Sequence, residues 1–598
     1  MNNTPRLPAT NPMMPNPPQQ LPPHSELSSS ANPYALPAIP RFVLHTSGVS
    51  STPDREPRGS TTLPLNLVAL IVSYLDEIAD IARVCRTSRL LYYMTLPQLY
   101  QKVSLRSYAE IRYLNGRPEG FGSGSPFMMG LNGLVTKQHA ALVEELRLWG
   151  AWKELGQEDF AKGRVPENSM MLNILLRSAT DKMAKLRSFS WELSCKPLKT
   201  LYQGLAAHAT LTTLTIRFPS SRTPRPAVLI PPVLNLRTFK ALDIDPLCYP
   251  DDISLLLLGS KGLRDLRLHF SPRMRREAES SVSLESYFSR CMAASYKIPL
   301  THFAMQNFYG NNTNYHALFE EGTCKSVTFL DDFGGIFGSA ETVFYDDQWK
   351  NIATDHERTA WRSSRSNELA PQHVQLIRHN KNLERLYFVS CRRPGPYTSS
   401  NAGGSVGVTP DSAASAPPIT PSPDSTSTNS STSADTTSLG LSYLSAIQTS
   451  QGANLSHLLF SDLWALEKAQ IRGFAASCPN LVQWGFATRL GLADVLDVVV
   501  GALPRLKVLR VLEPVGGWEI WEGVDERTVA GALGGVGGVA VCGLRWLGVG
   551  ERCFAVCQGI GSRGWSAREV GREVVREIEV WGLDCMDIME ESGAGIWG

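Results

Sequence analysis

The chain has 598 residues, too many for one compact core, so several domains or one elongated repeat domain are expected. Its net charge is +2 with 19% charged residues, which gives no electrostatic case for nucleic acid or a membrane surface as partner. Eleven cysteines are scattered without a CxxC pair, the opening MNNTPRLPAT is polar, and no apolar run has the roughly 18 residues that cross a bilayer. Reduced thiols in a cytoplasmic or nuclear protein are the expectation.

Residues 1–60 are rich in Pro, Ser and Asn and are expected to be disordered, because they hold too little apolar surface to offset chain entropy. Residues 61–106 then carry three short amphipathic patterns. Leu67, Leu70, Ile71, Tyr74 and Leu75 fall on one helical stripe, with Thr62 as a cap and Pro64 in the first turn. Ile78, Ile81, Ala82 and Cys85 form a second stripe. Leu90, Leu91 and Met94 form a third, expected to stop at Leu96-Pro97. A unit this small buries too little surface to stand alone, so part of its apolar area should face another body.

These residues resemble an F-box. Leu63-Pro64, Ile71, Tyr74-Leu75, Asp80-Ile81, Val84-Cys85-Arg86 and the closing Leu99-Tyr100 follow the family's order; Asn66 replaces its usual acidic residue and Tyr100 its usual tryptophan. The resemblance implies a Skp1-type adaptor as partner and, through it, a cullin-based ubiquitin ligase. Leu63, Pro64, Leu67, Ile71, Leu75, Ile81, Val84, Leu99 and Tyr100 are the adaptor-binding or helix-packing candidates. The plainer alternative is a three-helix cap on the domain that follows.

From about residue 140 a hydrophobic residue followed by two more at offsets of three and five recurs thirteen times, from Val143-Leu146-Leu148 to Val575-Ile578-Val580. Leu186, Leu211, Leu236 and Leu263 open triplets 25, 25 and 27 residues apart; Leu455, Leu481 and Leu506 open others 26 and 25 apart. Offsets three and five lie on the same side of a strand, so both side chains point into one core. LYQGLAAHAT, DDISLLLLGS, WALEKAQIRGFAASC and LADVLDVVVGAL have the length and apolar content to return the chain as helices. A period of roughly 20–30 residues with this spacing resembles leucine-rich repeats, of the cysteine-containing form at Leu383–Cys391. The expected fold class is therefore α/β, a small F-box followed by an irregular leucine-rich-repeat solenoid, or horseshoe. Its parts are 140–392 and 439–590, separated by a disordered Ser/Thr/Pro-rich insertion over 393–438.

No reactive constellation accompanies this pattern. Gly535–Ala540 matches GxGxxA formally, but it follows a helical stretch and no βαβ unit surrounds it. His373 and His379 lack the spacing of a zinc site, and Asp331-Asp332 and Asp346-Asp347 read as solvated loops. No P-loop and no nucleophile elbow occurs, so no catalytic residue, metal or cofactor is expected. The strand positions between and beside the buried pairs are candidates for contacting a substrate: Arg147, Trp149, Arg217, Arg267, Arg385, Tyr387 and Arg510, with Lys240, His269 and His302 near them. Tryptophan, tyrosine and arginine concentrate binding energy, and guanidinium groups suit an acidic or phosphorylated protein target. The expected role is a non-catalytic substrate receptor of a ubiquitin ligase. Its rivals are a repeat scaffold acting independently of any ligase and a hydrolase or transferase hidden among the insertions, notably 306–380.

Overall fold

The computed structural model describes residues 64–588, except 76, 121–124, 154–155, 157, 219–226, 246–251, 274–276, 278–281, 309, 312–317, 321, 331–360, 368–370, 390–428, 515–520, 522, 537–542, 559–563, 572–573, 576 and 586–587. The 1–60 segment, Leu63 and most of the 393–438 insertion lie outside the described residues. Two compact units divide the chain, Met1–Val68 and Ala69–Gly598. Of the first, Pro64–Val68 are described; the Pro64 carbonyl accepts from the amides of Leu67 and Val68 and so opens a helix.

Three helices occupy the positions that the stripes give: α1 (Leu65–Ser73), α2 (Ile78–Cys85) and α3 (Arg89–Gln101). Ser88 caps α3 by accepting from the Leu91 amide. The expected stop at Leu96-Pro97 does not occur, and α3 runs through Pro97 to Gln101. A proline inside a helix removes one amide bond. Tertiary anchoring offsets that loss, since α2 packs on α3 and Gln98 donates to the Leu75 carbonyl at 2.7 Å.

The strands are β1 (Lys102–Ser107), β2 (Arg112–Leu114), β3 (Arg117–Glu119), β4 (Glu145–Gly150), β5 (Ser188–Leu193), β6 (Thr213–Arg217) and β7 (Thr238–Ile244). They continue as β8 (Asp265–Phe270), β9 (Val282–Ser283), β10 (His302–Gln306), β11 (Gly310–Asn311), β12 (Ser326–Leu330), β13 (Ser363–Ser366) and β14 (Arg385–Phe388). The last are β15 (His457–Leu459), β16 (Gln483–Ala487), β17 (Val508–Leu512), β18 (Trp546–Val549), β19 (Arg552–Gln558) and β20 (Trp565–Glu569). Among the described residues, sixteen of them form one sheet in the order β1-β4-β5-β6-β7-β8-β10-β12-β13-β14-β15-β16-β17-β18-β19-β20. Pairing is parallel from β1 to β18 and antiparallel through β19 and β20.

The triplets explain the register. Leu146, Phe189, Leu214, Phe239, Leu266, Phe303 and Val327 stand opposite one another across β4 to β12. Leu386, Leu458, Trp484, Leu509 and Leu547 continue the row from β14 to β18. Each is 0–2% exposed. Helices bury this face: Leu172 and Leu176 of Glu167–Thr180, Leu201 and Leu205 of Lys199–Ala207, and Phe288 of Leu284–Ala293 share one core with it. Further along, Ile471 and Phe474 of Lys468–Ser477 and Val495 and Val499 of Leu492–Val500 do the same. Residues just ahead of the triplets tie consecutive turns together. Asn235, Asn454 and Asn480 each donate to a carbonyl of the preceding turn, at 2.6–2.7 Å.

Three parts depart from the expectation. The triplet Val575-Ile578-Val580 forms no strand; it enters a short helical turn, Glu579–Gly582, and packs on the other face of the sheet. The gap between Cys324 and Leu383 holds β13, whose Trp361-Ser364-Ser366 keeps the 0, 3, 5 spacing with serines in place of the two apolar residues. A helix over Asn429–Ser450 begins inside the segment expected to be a disordered insertion, and Tyr443, Ala446 and Ile447 of that helix are buried.

Candidate functional site

Two surfaces carry the sequence-derived candidates. The first is the three-helix region. Ile71 is 58% exposed, and Leu70, Tyr74 and Ile78 are exposed beside it in sequence; Pro64 and Leu67, in the preceding unit, are exposed as well. Leu75, Val84 and Leu99 are half-buried, and Ile81 is buried, so Ile81 serves the helices' own packing. Tyr100 does so too. With Val103 and Leu105 it repeats the 0, 3, 5 spacing at the head of β1, and its ring lies 4.5 Å from that of His139. β1 is therefore the first strand of the sheet, although its residues fall within the span 61–106 expected to be the helical unit.

The second surface is the sheet face opposite the helices. The middle residue of each strand points there, so Ser104, Arg147, Ser190, Thr215, Lys240 and Arg267 form one row from β1 to β8. Ala304, Thr328, Arg365, Tyr387, Leu459, Gly485, Arg510 and Gly548 continue it to β18. The structure splits this row into an open end and a covered end.

At the open end, Arg147 is exposed and grips Glu192 with two hydrogen bonds of 2.9 and 2.7 Å. The Trp149 indole donates to Ser104, and the Arg106 guanidinium stacks 4.3 Å over its ring. Arg217 binds Asp243 at 2.6 Å. Asp243 sits at a break in the β7–β8 register with a left-handed φ of 53°, a costly conformation for a non-glycine residue. Burial raises the Asp243 carboxyl pKa, but hydrogen bonds from His269 and Arg217 outweigh it and leave the group below its ordinary range. Trp149, Glu192, Arg217 and Asp243 line a cleft of about 270 Å³. Gly150 completes it with a φ of 102°, where a Cβ would overlap the Ser107 carbonyl oxygen.

At the other end, Arg267, Tyr387 and Arg510 are 7, 0 and 1% exposed. The segment after β20 lies over them. Both hydrogen bonds of the Arg510 guanidinium go to it, to the Val580 carbonyl at 2.7 Å and to Asp584 at 2.6 Å, and Arg510 also stacks on the Trp581 ring at 5.2 Å. The Tyr387 hydroxyl donates to Glu579, whose carboxylate is also 3.8 Å from Arg385 and from His457. Burial, with the Glu579 charge added, holds the Tyr387 hydroxyl pKa well above its usual value. Arg365 donates to the Cys585 carbonyl, and Arg267 to the Ile588 carbonyl at 2.8 Å. Arg365 is not among the expected contact residues, since β13 has no leucine; the 0, 3, 5 frame opened by Trp361 is the signal that marks it.

Among the described residues no group of three or more His, Cys, Asp and Glu side chains is arranged to hold a metal. The His379 ring donates to the Gln375 carbonyl at 2.7 Å, and the His373 side chain lies outside the described residues. No described helix is long and apolar enough to cross a membrane. No protein-family model matches the chain, and no curated protein shows significant similarity to it.

Proposed function

We propose that this protein is a non-catalytic substrate receptor of a cullin-based ubiquitin ligase, in which an F-box-like helical unit holds a Skp1-type adaptor and a leucine-rich-repeat solenoid holds a protein target. The observation that carries the reading is the conjunction of two features. Apolar side chains at Ile71 and Tyr74, which are F-box motif positions, and at neighbouring Leu70 are exposed, and a parallel strand ladder with helices on one face follows directly. Exposed apolar area concentrated on one short helix is costly for a chain that has no partner for it.

Each part has a distinct role. The adaptor contact comes from α1, while Ile81 and Tyr100 hold the helical unit together and to the strands. The target contact comes from the open end of that sheet face, where Arg147 of the row lies beside Trp149 and Arg217. The receptor supplies proximity and orientation, and a partner enzyme supplies the chemistry of ubiquitin transfer. Such a protein works in the cytoplasm or nucleus.

The test is copurification of the adaptor with the full chain, compared with an Ile71→Asp, Leu75→Asp double variant. The adaptor is expected with the unaltered chain and absent from the variant, whose thermal unfolding should remain cooperative. Adaptor that stays bound to a folded double variant refutes the assignment of α1. An unaltered chain that never captures the adaptor refutes the ligase role.

A further inference from the structure

The segment over the covered end of the strand face is chemically unlike a structural lid. It lies outside the ladder: its longest described element is the four-residue turn Glu579–Gly582, and the strand backbones beneath it pair with one another. It can therefore leave without breaking a sheet hydrogen bond between strands. A turn that short has no stability of its own. Its contacts combine a greasy centre with charged heads. Val580 and Trp581 are 0 and 1% exposed among Leu459, Val508 and Leu512, while Glu579 and Asp584 reach Tyr387 and Arg510. Farther along, Ile588 packs on Ala304, Leu330 and Val389.

Energetics favours recognition over cover. Buried ion pairs roughly break even against apolar packing of the same volume, so a permanent lid gains little from Arg510–Asp584. What such pairs supply is selectivity, because a ligand lacking either carboxylate would leave a buried guanidinium or hydroxyl unmatched. Trp581 is the anchor of the arrangement: its ring lies against Gly548 and under Arg510, a pocket that the absent side chain at 548 opens.

From this we infer that the face of β8–β18 is a peptide-binding channel, occupied in this chain by its own 574–588 segment and able to accept a partner segment of the same chemistry. That ligand carries a carboxylate, a tryptophan two residues later, a second carboxylate three residues after that, and an aliphatic residue four further on, as in Glu579, Trp581, Asp584 and Ile588. The inference builds on the proposal that the strand face holds the protein target, and it adds which end is held closed and what opens it.

A fluorescein-labelled synthetic peptide with the sequence of residues 574–590 tests it by fluorescence anisotropy against the full chain. The unaltered chain binds the peptide weakly because the channel is filled. Asp584→Lys in the full chain loosens the resident segment and raises peptide affinity at least tenfold; adding Arg510→Glu to that variant abolishes the gain. A peptide with alanine for tryptophan binds at least tenfold more weakly than the parent. Equal binding to the unaltered chain and to Asp584→Lys, or none to either, overturns the inference. Hydrogen exchange on the unaltered chain decides the matter independently of any variant. Amides of 578–585 should exchange at least 100-fold faster than those of β16 and β17, and equal protection overturns the inference. Adaptor capture is scored separately, so failure here leaves the reading of α1 standing.

Discussion

Gly548→Ala is the sharpest single probe of the covered end. Gly548 lies in β18 between β17 and β19, so its backbone is fixed on both sides by ladder bonds. An added Cβ would overlap Cζ2 of Trp581, stand 2.6 Å from Cη2 of that ring and lie 3.1 Å from the Arg510 Cγ. Ordinary carbon contacts begin near about 3.4 Å, so the ring must retreat by roughly 1 Å or more, and its surroundings are packed. Overpacking of this kind costs about 1–3 kcal/mol. The cost falls on docking of Trp581, since β18 is held by ladder bonds on both sides and Trp581 is not. Gly531→Ala is the control: Gly531 is exposed within the helix Glu526–Gly535 and a Cβ there meets nothing within 4 Å. It should stabilise the chain by about 0.5–1 kcal/mol. Hydrogen exchange with peptide resolution is the assay. Gly548→Ala should deprotect 578–585 while leaving β16 and β17 protected, and Gly531→Ala should deprotect nothing. If 578–585 is equally protected in Gly548→Ala and in the unaltered chain, the packing described for Trp581 is wrong.

Leu509→Ala, in the middle of the buried row, should cost about 2–5 kcal/mol in urea unfolding, and a loss below 1 kcal/mol would argue against the common core beneath β17. Tyr387→Phe removes a donor from a buried carboxylate and should weaken segment docking by about 1–3 kcal/mol, read as faster exchange at Glu579 and its neighbours. Burial lowers the His457 pKa, an effect that Glu579 opposes only in part. With the folded value below the unfolded value of about 6.5, the unfolded chain binds more protons between the two. Stability from this group is therefore complete above about pH 6.5 and lost as pH falls through the folded value; His457→Gln should flatten the acid limb of a urea-midpoint profile. Cys557 is exposed, whereas burial pushes the Cys478 and Cys553 thiols up to about 12. Peptide mapping after brief alkylation should find Cys557 labelled ahead of both, and the reverse order would contradict the placement of β19.

The strand ladder was legible in the sequence because its cause is local. Offsets of three and five put two side chains on one side of a strand, and twelve of the thirteen triplets meet in register or lie at the end of such a strand. The same logic missed β13, where serines fill the apolar positions, and β1, whose spacing begins inside a helix. It erred at Val575-Ile578-Val580, because a hydrophobic triplet carries no information about which face it will meet. Strand periodicity puts the residue between each buried pair on the opposite face, where the strands align them as one row.

Which of them are open was settled by contacts that no window of sequence contains. Arg510 meets Asp584 across 74 residues, Tyr387 meets Glu579 across 192, and Arg267 meets Ile588 across 321. By itself the sequence determined the period of the chain, the side each residue takes and the chemistry each side offers, all consequences of backbone geometry within a few residues. Only the tertiary structure decided that a later segment lies across half of that face and leaves Arg147, Trp149 and Arg217 facing solvent, because complementarity between distant segments depends on where the whole fold brings them.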